Sequence, residues 1–139
     1  MNIPVIEIEG WLDALKPYQR ISLQQLISAS DEEEAAKIWL TSNGAAATKQ
    51  FGGIGGGDGE FWDRFKAEFK AFVCGDERYV TERTQLSTQA PIANAMFVGV
   101  ISGAIGSTLG FAASLLAPAV AIMLYLVGKV GLNAYCACS

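Results

Sequence analysis

Three short segments carry residue types that could do chemistry, and the first is a glycine-rich loop. The stretch FGGIGGGDG begins at Phe51. Such loops bind phosphate when the glycines follow set spacings and a lysine or a helix start completes the site. The two usual spacings, G-x-x-x-x-G-K-[ST] and G-x-G-x-x-G in register, are both absent. The carboxylates of Asp58 and Glu60 would also repel a phosphate. The loop therefore predicts a flexible hinge, which we place at residues 45–59.

The second segment is the run of acids from Asp31 to Glu34. Carboxylates bind divalent metals, but consecutive residues of a helix point in different directions and do not converge on one ion. Ser30 and Glu33 have the spacing of a capping box, and acids stabilise the positive end of a helix. The run therefore predicts the start of a helix and not a metal site.

The third segment is the C-terminal Cys136-Ala137-Cys138-Ser139, which matches a loose prenylation pattern. A chain with its own membrane segment gains little from a lipid, so we interpret the match as chance. Cys74 is isolated in the sequence, and Cys136 and Cys138 are too close to bridge each other easily. The cysteines therefore predict no disulfide framework.

The composition limits the function further. The chain has no histidine, which excludes histidine-based triads, zinc sites and proton shuttles. We therefore expect no enzyme, no catalytic residue, no metal and no cofactor. Residues 1–84 hold all 14 acids and 9 of the 10 bases, so their net charge is 9 − 14 = −5. An acidic domain does not bind nucleic acid, which needs clustered lysine and arginine.

We call residues 1–84 the charged region, and its clearest helix is predicted at residues 60–73. Its apolar positions recur at helical spacing and place aromatic side chains on one face. Three of these side chains, Phe61, Phe65 and Phe69, are candidates for a protein interface. The alternative, and the commoner role of such a face, is a hydrophobic core.

The longest uncharged stretch of the chain lies between Arg83 and Lys129. A run of about 18 apolar residues predicts a transmembrane helix, and the apolar part of this stretch is about twice as long. We therefore predict two spans that form a hairpin, at residues 92–113 and 119–135, with the turn next to Pro118. A turn at residues 106–110 is the competing prediction. The alternative for the whole run is a hairpin buried in a soluble protein, but the amphipathic residues are too few to cover one.

The residues at the ends of the run predict how the hairpin is anchored. Arg83 precedes it, and Lys129 and Tyr135 lie near its end, where long basic and aromatic side chains favour the membrane interface. The basic residues Arg78, Arg83 and Lys129 lie at the two ends of the hairpin and can all stay on the cytoplasmic side, and the turn carries no charge. The first eleven residues lack the basic start of a signal peptide, so we expect a cytoplasmic N-terminal domain and an inner or plasma membrane location.

Small residues recur at helical spacing along the apolar run. They are Gly99, Gly103, Gly106, Gly110, Ala113 and Ala117. On one helix these positions form a smooth stripe, which lets another helix approach closely in lipid. The stripe predicts a homo-oligomer that forms a pore; the alternative is close packing within a single hairpin.

These patterns together predict an all-α protein. A helical cytoplasmic domain spans residues 1–86 and contains the hinge, and a membrane hairpin spans residues 90–135. The function that we expect is a small effector of toxin or prokaryotic defence type, which oligomerises through its glycine stripe to permeabilise or depolarise a lipid bilayer. A regulatory partner protein would suit the N-terminal domain. The alternative is a membrane-anchored adaptor whose acidic helical domain binds a partner protein.

Overall fold

The part of the chain that the structure describes is built from helices. The computed structural model covers residues 3, 5–41, 58–88 and 94–137, and these ranges contain no strand. The all-α class is therefore confirmed. Most of the predicted hinge, Cys138 and Ser139 lie outside the described residues.

Eight α-helices and one 3-10 helix occupy the described ranges. The charged region contributes α1 (Ile8–Leu12), α2 (Pro17–Ala29), α3 (Glu32–Leu40), α4 (Asp58–Cys74), the 3-10 helix Glu77–Tyr79 and α5 (Val80–Thr88). The apolar run and the residues after it contribute α6 (Asn94–Leu109), α7 (Ala113–Val130) and α8 (Leu132–Ala137). We call α6, α7 and the turn between them the hairpin.

Local chemistry explains the start of α3. The carboxylate of Asp31 accepts the backbone N–H of Glu34 at 2.8 Å, so Asp31 caps the helix. The predicted cap at Ser30 is wrong by one residue, because the Ser30 hydroxyl donates back to the carbonyl of Leu26 and closes α2. The acid run lies in the first turn of α3, as its charge predicts.

The hairpin turns earlier than we predicted. α6 ends at Leu109, and Gly110 adopts a φ of +85°, a conformation that favours glycine. The backbone N–H groups of Gly110 and Phe111 both donate to the carbonyl of Gly106, at 2.7 and 2.9 Å. The predicted turn next to Pro118 is therefore wrong, and the competing turn at residues 106–110 is nearer to the observed one. Pro118 lies inside α7.

The centre of the fold is α7. It packs most extensively against α6, α3 and α1. Its buried residues are Leu116, Pro118, Ala119, Val120, Ala121, Ile122, Met123, Leu124 and Val127. The hydrophobic core also includes Trp11 and Leu40 from the charged region, so helices from both parts of the chain share it. These helices cover the hairpin more fully than their number of residues led us to expect, while the division into residues 1–86 and 90–135 stays a prediction.

One helix of the described ranges is long and apolar enough to cross a membrane. This helix is α7, whose 18 residues have a mean hydropathy of 1.9, and half of them are buried inside the protein. α6 is apolar but shorter, with 16 residues. The core helix of a soluble protein can have the same length and composition as α7. These two properties alone therefore do not place the hairpin in a membrane.

Candidate functional site

Two side chains of the charged region donate hydrogen bonds to the first turns of α7. Pro118 has no N–H, so the carbonyl of Ser114, four residues earlier, loses its helical donor. The side-chain amide of Gln19 donates to this carbonyl at 2.8 Å. The indole N–H of Trp39 donates to the next carbonyl, that of Leu115, at 2.9 Å. We call these two hydrogen bonds the carbonyl contacts.

Both donors of the carbonyl contacts are held firmly by their own helices. Gln19 lies in the first turn of α2, where its side-chain oxygen also accepts the backbone N–H of Lys16 at 3.3 Å. Its side chain therefore caps α2 with one end and binds α7 with the other. Trp39 lies near the end of α3, which packs along α7. Gln19 is 3% exposed and Trp39 is 8% exposed, so both donors are buried while the two hydrogen bonds are partly buried.

The aromatic face of α4 packs on residues that flank α7 on either side. The ring of Phe61 lies 4.8 Å, between centroids, from that of Phe111 in the turn before α7. The ring of Phe69 lies 6.2 Å from that of Tyr135 in α8, edge to face. Phe61, Phe65 and Phe69 are all buried. In this fold the three candidate interface residues therefore contact the chain itself.

The small residues of the predicted stripe do not lie on one helix. Gly99 and Gly103 lie on α6, and a Cβ added to either would meet nothing within 4 Å. Gly106 is buried, and a Cβ there would lie 2.5 Å from the carbonyl oxygen of Phe111. Gly110 forms the turn and so divides the stripe, since its positive φ ends α6. The single continuous stripe is therefore wrong.

The last two members of the stripe follow on α7. Ala113 is exposed at the first position of this helix, and Ala117 is partly covered one turn later. Only Gly99 and Gly103 remain as an open surface of minimal side chains on α6.

Those two glycines lie in an open cleft of about 490 Å³. The opposite wall comes from the 3-10 helix and α5, and Arg78 and Glu82 line it. At its end, the Tyr79 hydroxyl lies 2.6 Å from a carboxylate oxygen of Glu68 and 2.8 Å from the hydroxyl of Thr108. Burial and the hydrogen bond to Glu68 raise the pKa of Tyr79 to about 12. This network fastens α6 to α4 through neutral Tyr79.

The predicted anchor residues lie at the edges of the apolar helices. A guanidinium nitrogen of Arg83 donates to the carbonyl of Phe72 at 3.0 Å, which holds α5 against α4. Lys129 is exposed in the last turn of α7, where a cation complements the helix dipole. Its ammonium group lies 5.9 Å from the centroid of the Tyr125 ring. Tyr135 is partly buried against α4.

A disulfide joins Cys74, the last residue of α4, to Cys136 in α8. The expectation that the cysteines form no disulfide is wrong, because the fold brings together two residues that are 62 positions apart. No local spacing pattern marks this pair, and the packing of α4 on α8 alone places it. Disulfides persist in oxidising compartments, whereas the cytoplasm keeps thiols reduced. The bond and the expected cytoplasmic location therefore conflict.

The described residues contain no group of three or more histidine, cysteine, aspartate or glutamate side chains that could hold a metal. No known protein family, curated protein or solved structure matches the chain significantly. A functional assignment must therefore come from the chain's own geometry. The main feature is a long apolar helix, α7, that is covered by amphipathic helices and held by two side-chain hydrogen bonds. The aromatic face and the disulfide of α4 hold the segments on either side of it.

Proposed function

We propose that the chain is a small membrane-permeabilising effector, of toxin or prokaryotic defence type, that stores its hairpin among its own helices before insertion. The observation that carries the proposal is α7, whose 18 residues are long and apolar enough to cross a bilayer. Lipid chains would replace the cover that α1, α2 and α3 supply in the stored form. A helix satisfies its own backbone groups, so α7 can make this exchange without unfolding.

Pro118 suits both environments of α7. In the stored form, Gln19 satisfies the carbonyl that the proline leaves without a donor. In a bilayer, neighbouring helices, hydroxyl side chains and local adjustments satisfy such carbonyls, which is why transmembrane helices tolerate proline. The amide of Gln19 can therefore leave Ser114 at a cost that the membrane offsets.

The open glycines of α6 supply the surface for assembly. Gly99 and Gly103 let the backbone of another helix approach closely, and this approach drives helix association in lipid. We propose that inserted hairpins form a homo-oligomer through this surface and thereby open a pore. Gly106 and Gly110 shape the turn instead, so their substitution would test folding and not assembly.

The test is dye release from lipid vesicles by the purified protein, wild type against Gly103→Leu. The larger side chain fits the described fold, because nothing lies within 4 Å of an added Cβ, but it would separate two helices in an oligomer. Gly103→Ala is the matched control, since alanine also permits close packing. We expect release by wild type and Gly103→Ala and its loss in Gly103→Leu. A folded wild-type protein that releases no dye, in either its oxidised or its reduced form, would contradict the proposal.

The exposed acids at the start of α3 favour a second candidate function, the anchored adaptor. Glu33 and Glu34 are exposed, so an acidic surface is available to a basic partner. In this case the hairpin only tethers the domain to the membrane. Vesicles that contain no other protein distinguish the two functions, because an adaptor would bind them without releasing dye. Charge reversal of Glu33 and Glu34 would abolish partner binding by an adaptor and leave dye release by an effector unchanged.

A further inference from the structure

The disulfide closes a loop of chain that contains the whole hairpin. The loop runs from Cys74 through the 3-10 helix, α5, α6 and α7 to Cys136. Cys136 lies only six positions after Val130, the end of α7, which is at most about 20 Å of extended chain. The C-terminal end of α7 is therefore tied to the C-terminal end of α4.

The same bond holds the aromatic face of α4 in place over the hairpin. This face contacts Phe111 at the turn through Phe61 and contacts Tyr135 through Phe69, a few residues from the disulfide. A covalent link at one end of such a contact raises the effective concentration of the rest of the aromatic face next to the hairpin. The face and the hairpin therefore separate rarely. When the bond opens, only non-covalent contacts hold α4 on the hairpin.

Reductants can reach this disulfide. Cys74 is exposed and Cys136 is partly exposed, and neither belongs to the hydrophobic core. Exposed disulfides are the ones that serve regulation, whereas those in a core resist exchange. Among the described residues, the disulfide is the one covalent link between the charged region and the C-terminal helices, because the other contacts between them are non-covalent.

We propose that the Cys74–Cys136 disulfide is a redox switch that keeps the hairpin stored, and that a dithiol reductant opens it. The switch rests on the proposed function, since its output is insertion of the hairpin. One thiolate of the reductant attacks a sulfur of the disulfide, forms a mixed disulfide and expels the other cysteine as a thiolate. The second thiol of the reductant displaces the first cysteine. Two electrons and two protons pass to the protein, which gains two thiols, and the reductant becomes a disulfide.

The switch makes insertion of the hairpin depend on the redox conditions around the protein. In oxidising surroundings the bond persists and the hairpin stays covered. Where a dithiol reductant meets the protein at a membrane, α4 separates from the hairpin and α7 is free to insert. The expected order of events is therefore reduction first and permeabilisation second.

The experiment measures dye release from vesicles by the full chain, oxidised and after treatment with dithiothreitol. A Cys138→Ser background prevents exchange of the disulfide partner. We expect reduction to raise the release rate about 100-fold, the gain that an intramolecular link commonly supplies. In the same background, Cys74→Ser releases dye at the reduced rate with or without dithiothreitol. Equal rates for the oxidised and reduced protein would overturn the switch and leave the proposed function standing.

Hydrogen exchange of the same samples in solution gives a readout that does not depend on permeabilisation. We expect reduction to speed exchange in α4, α7 and α8 by about 100-fold, while α2 changes less, because α2 packs mainly on α3 and neither cysteine lies in it. Unchanged exchange in α4 and α7 overturns the switch even if dye is released. Faster exchange without any release supports the switch and contradicts the proposed function.

Discussion

Removing the donors of the carbonyl contacts tests whether they hold α7 in its stored position. Gln19→Leu replaces the amide by an apolar group of similar size, and Trp39→Phe keeps an aromatic ring but removes the N–H. Both side chains are nearly buried, at 3% and 8% exposure, so water cannot replace them freely. Each substitution therefore leaves a backbone carbonyl of α7 without a side-chain donor.

The expected cost follows from the loss of one partly buried hydrogen bond in each variant. Such a bond contributes about 0.5–1.5 kcal/mol, so each variant should lower the free energy of unfolding by about that amount. Trp39→Phe also removes part of a large buried ring and belongs at the upper end of the range. The two carbonyls are neighbours, so the double variant need not equal the sum of the two.

Pro118 supplies the internal control for Gln19. In Pro118→Ala, the new amide at position 118 can donate to the carbonyl of Ser114, so this carbonyl no longer depends on Gln19. We expect Gln19→Leu to cost about 1 kcal/mol less in that background. Trp39 donates to a different carbonyl, that of Leu115, so the cost of Trp39→Phe should be the same in both backgrounds.

Urea unfolding followed by far-UV circular dichroism measures these free energies, and dye release from vesicles measures their consequence. The weakened variants should release dye faster than wild type, because the stored form competes with insertion. An equal cost of Gln19→Leu in the two backgrounds would show that the proline does not create the need for Gln19. Costs below about 0.5 kcal/mol for both single variants would refute the carbonyl contacts as a stabilising element.

Three further outcomes test other parts of the fold. We expect Gly106→Leu to lower the melting temperature measured by circular dichroism and Gly103→Leu to leave it unchanged, because only Gly106 lies against a backbone carbonyl; equal effects would contradict the described turn. Cys74→Ser should lower the free energy of unfolding without reductant by about 4 kcal/mol, the loop-closure value for this span, and a much smaller loss would show that the bond does not restrain the chain. The pKa of Tyr79 is raised to about 12, so the stability from its neutral hydroxyl is present below its usual pKa and is lost as the pH rises through 12. Urea unfolding at several pH values should show this loss in wild type and not in Tyr79→Phe. If the free energy of unfolding depends on pH equally in both proteins, Tyr79 is not the source of the loss.

Local patterns in the sequence determine much of the helical framework. Helical spacing predicts α4 at residues 60–73, and the structure has it at Asp58–Cys74. The acid run predicts the start of α3, whose cap is Asp31, one residue after the predicted Ser30. These features depend on interactions between residues only a few positions apart, such as the Asp31 cap. The short segment that forms each of these helices therefore contains the information that determines where the helix lies.

The position of the hairpin turn depends on contacts that no short segment contains. Glycine at 110 and proline at 118 are both plausible turn residues. Inside a helix, Pro118 leaves one carbonyl without a donor, and α7 contains it because Gln19, 95 residues away, supplies that donor. A pattern of neighbouring residues could not predict this compensation.

The composition of the apolar run determined that it forms helices and avoids water, but it did not determine what covers them. Burial in protein and burial in lipid both remove apolar surface from water, so the same residues suit either environment. Only the tertiary structure decided that α7 lies among α1, α3 and α6, and that the isolated Cys74 meets Cys136 across 62 positions. Such pairings arise from the packing of whole helices, and their partners are therefore absent from the local sequence.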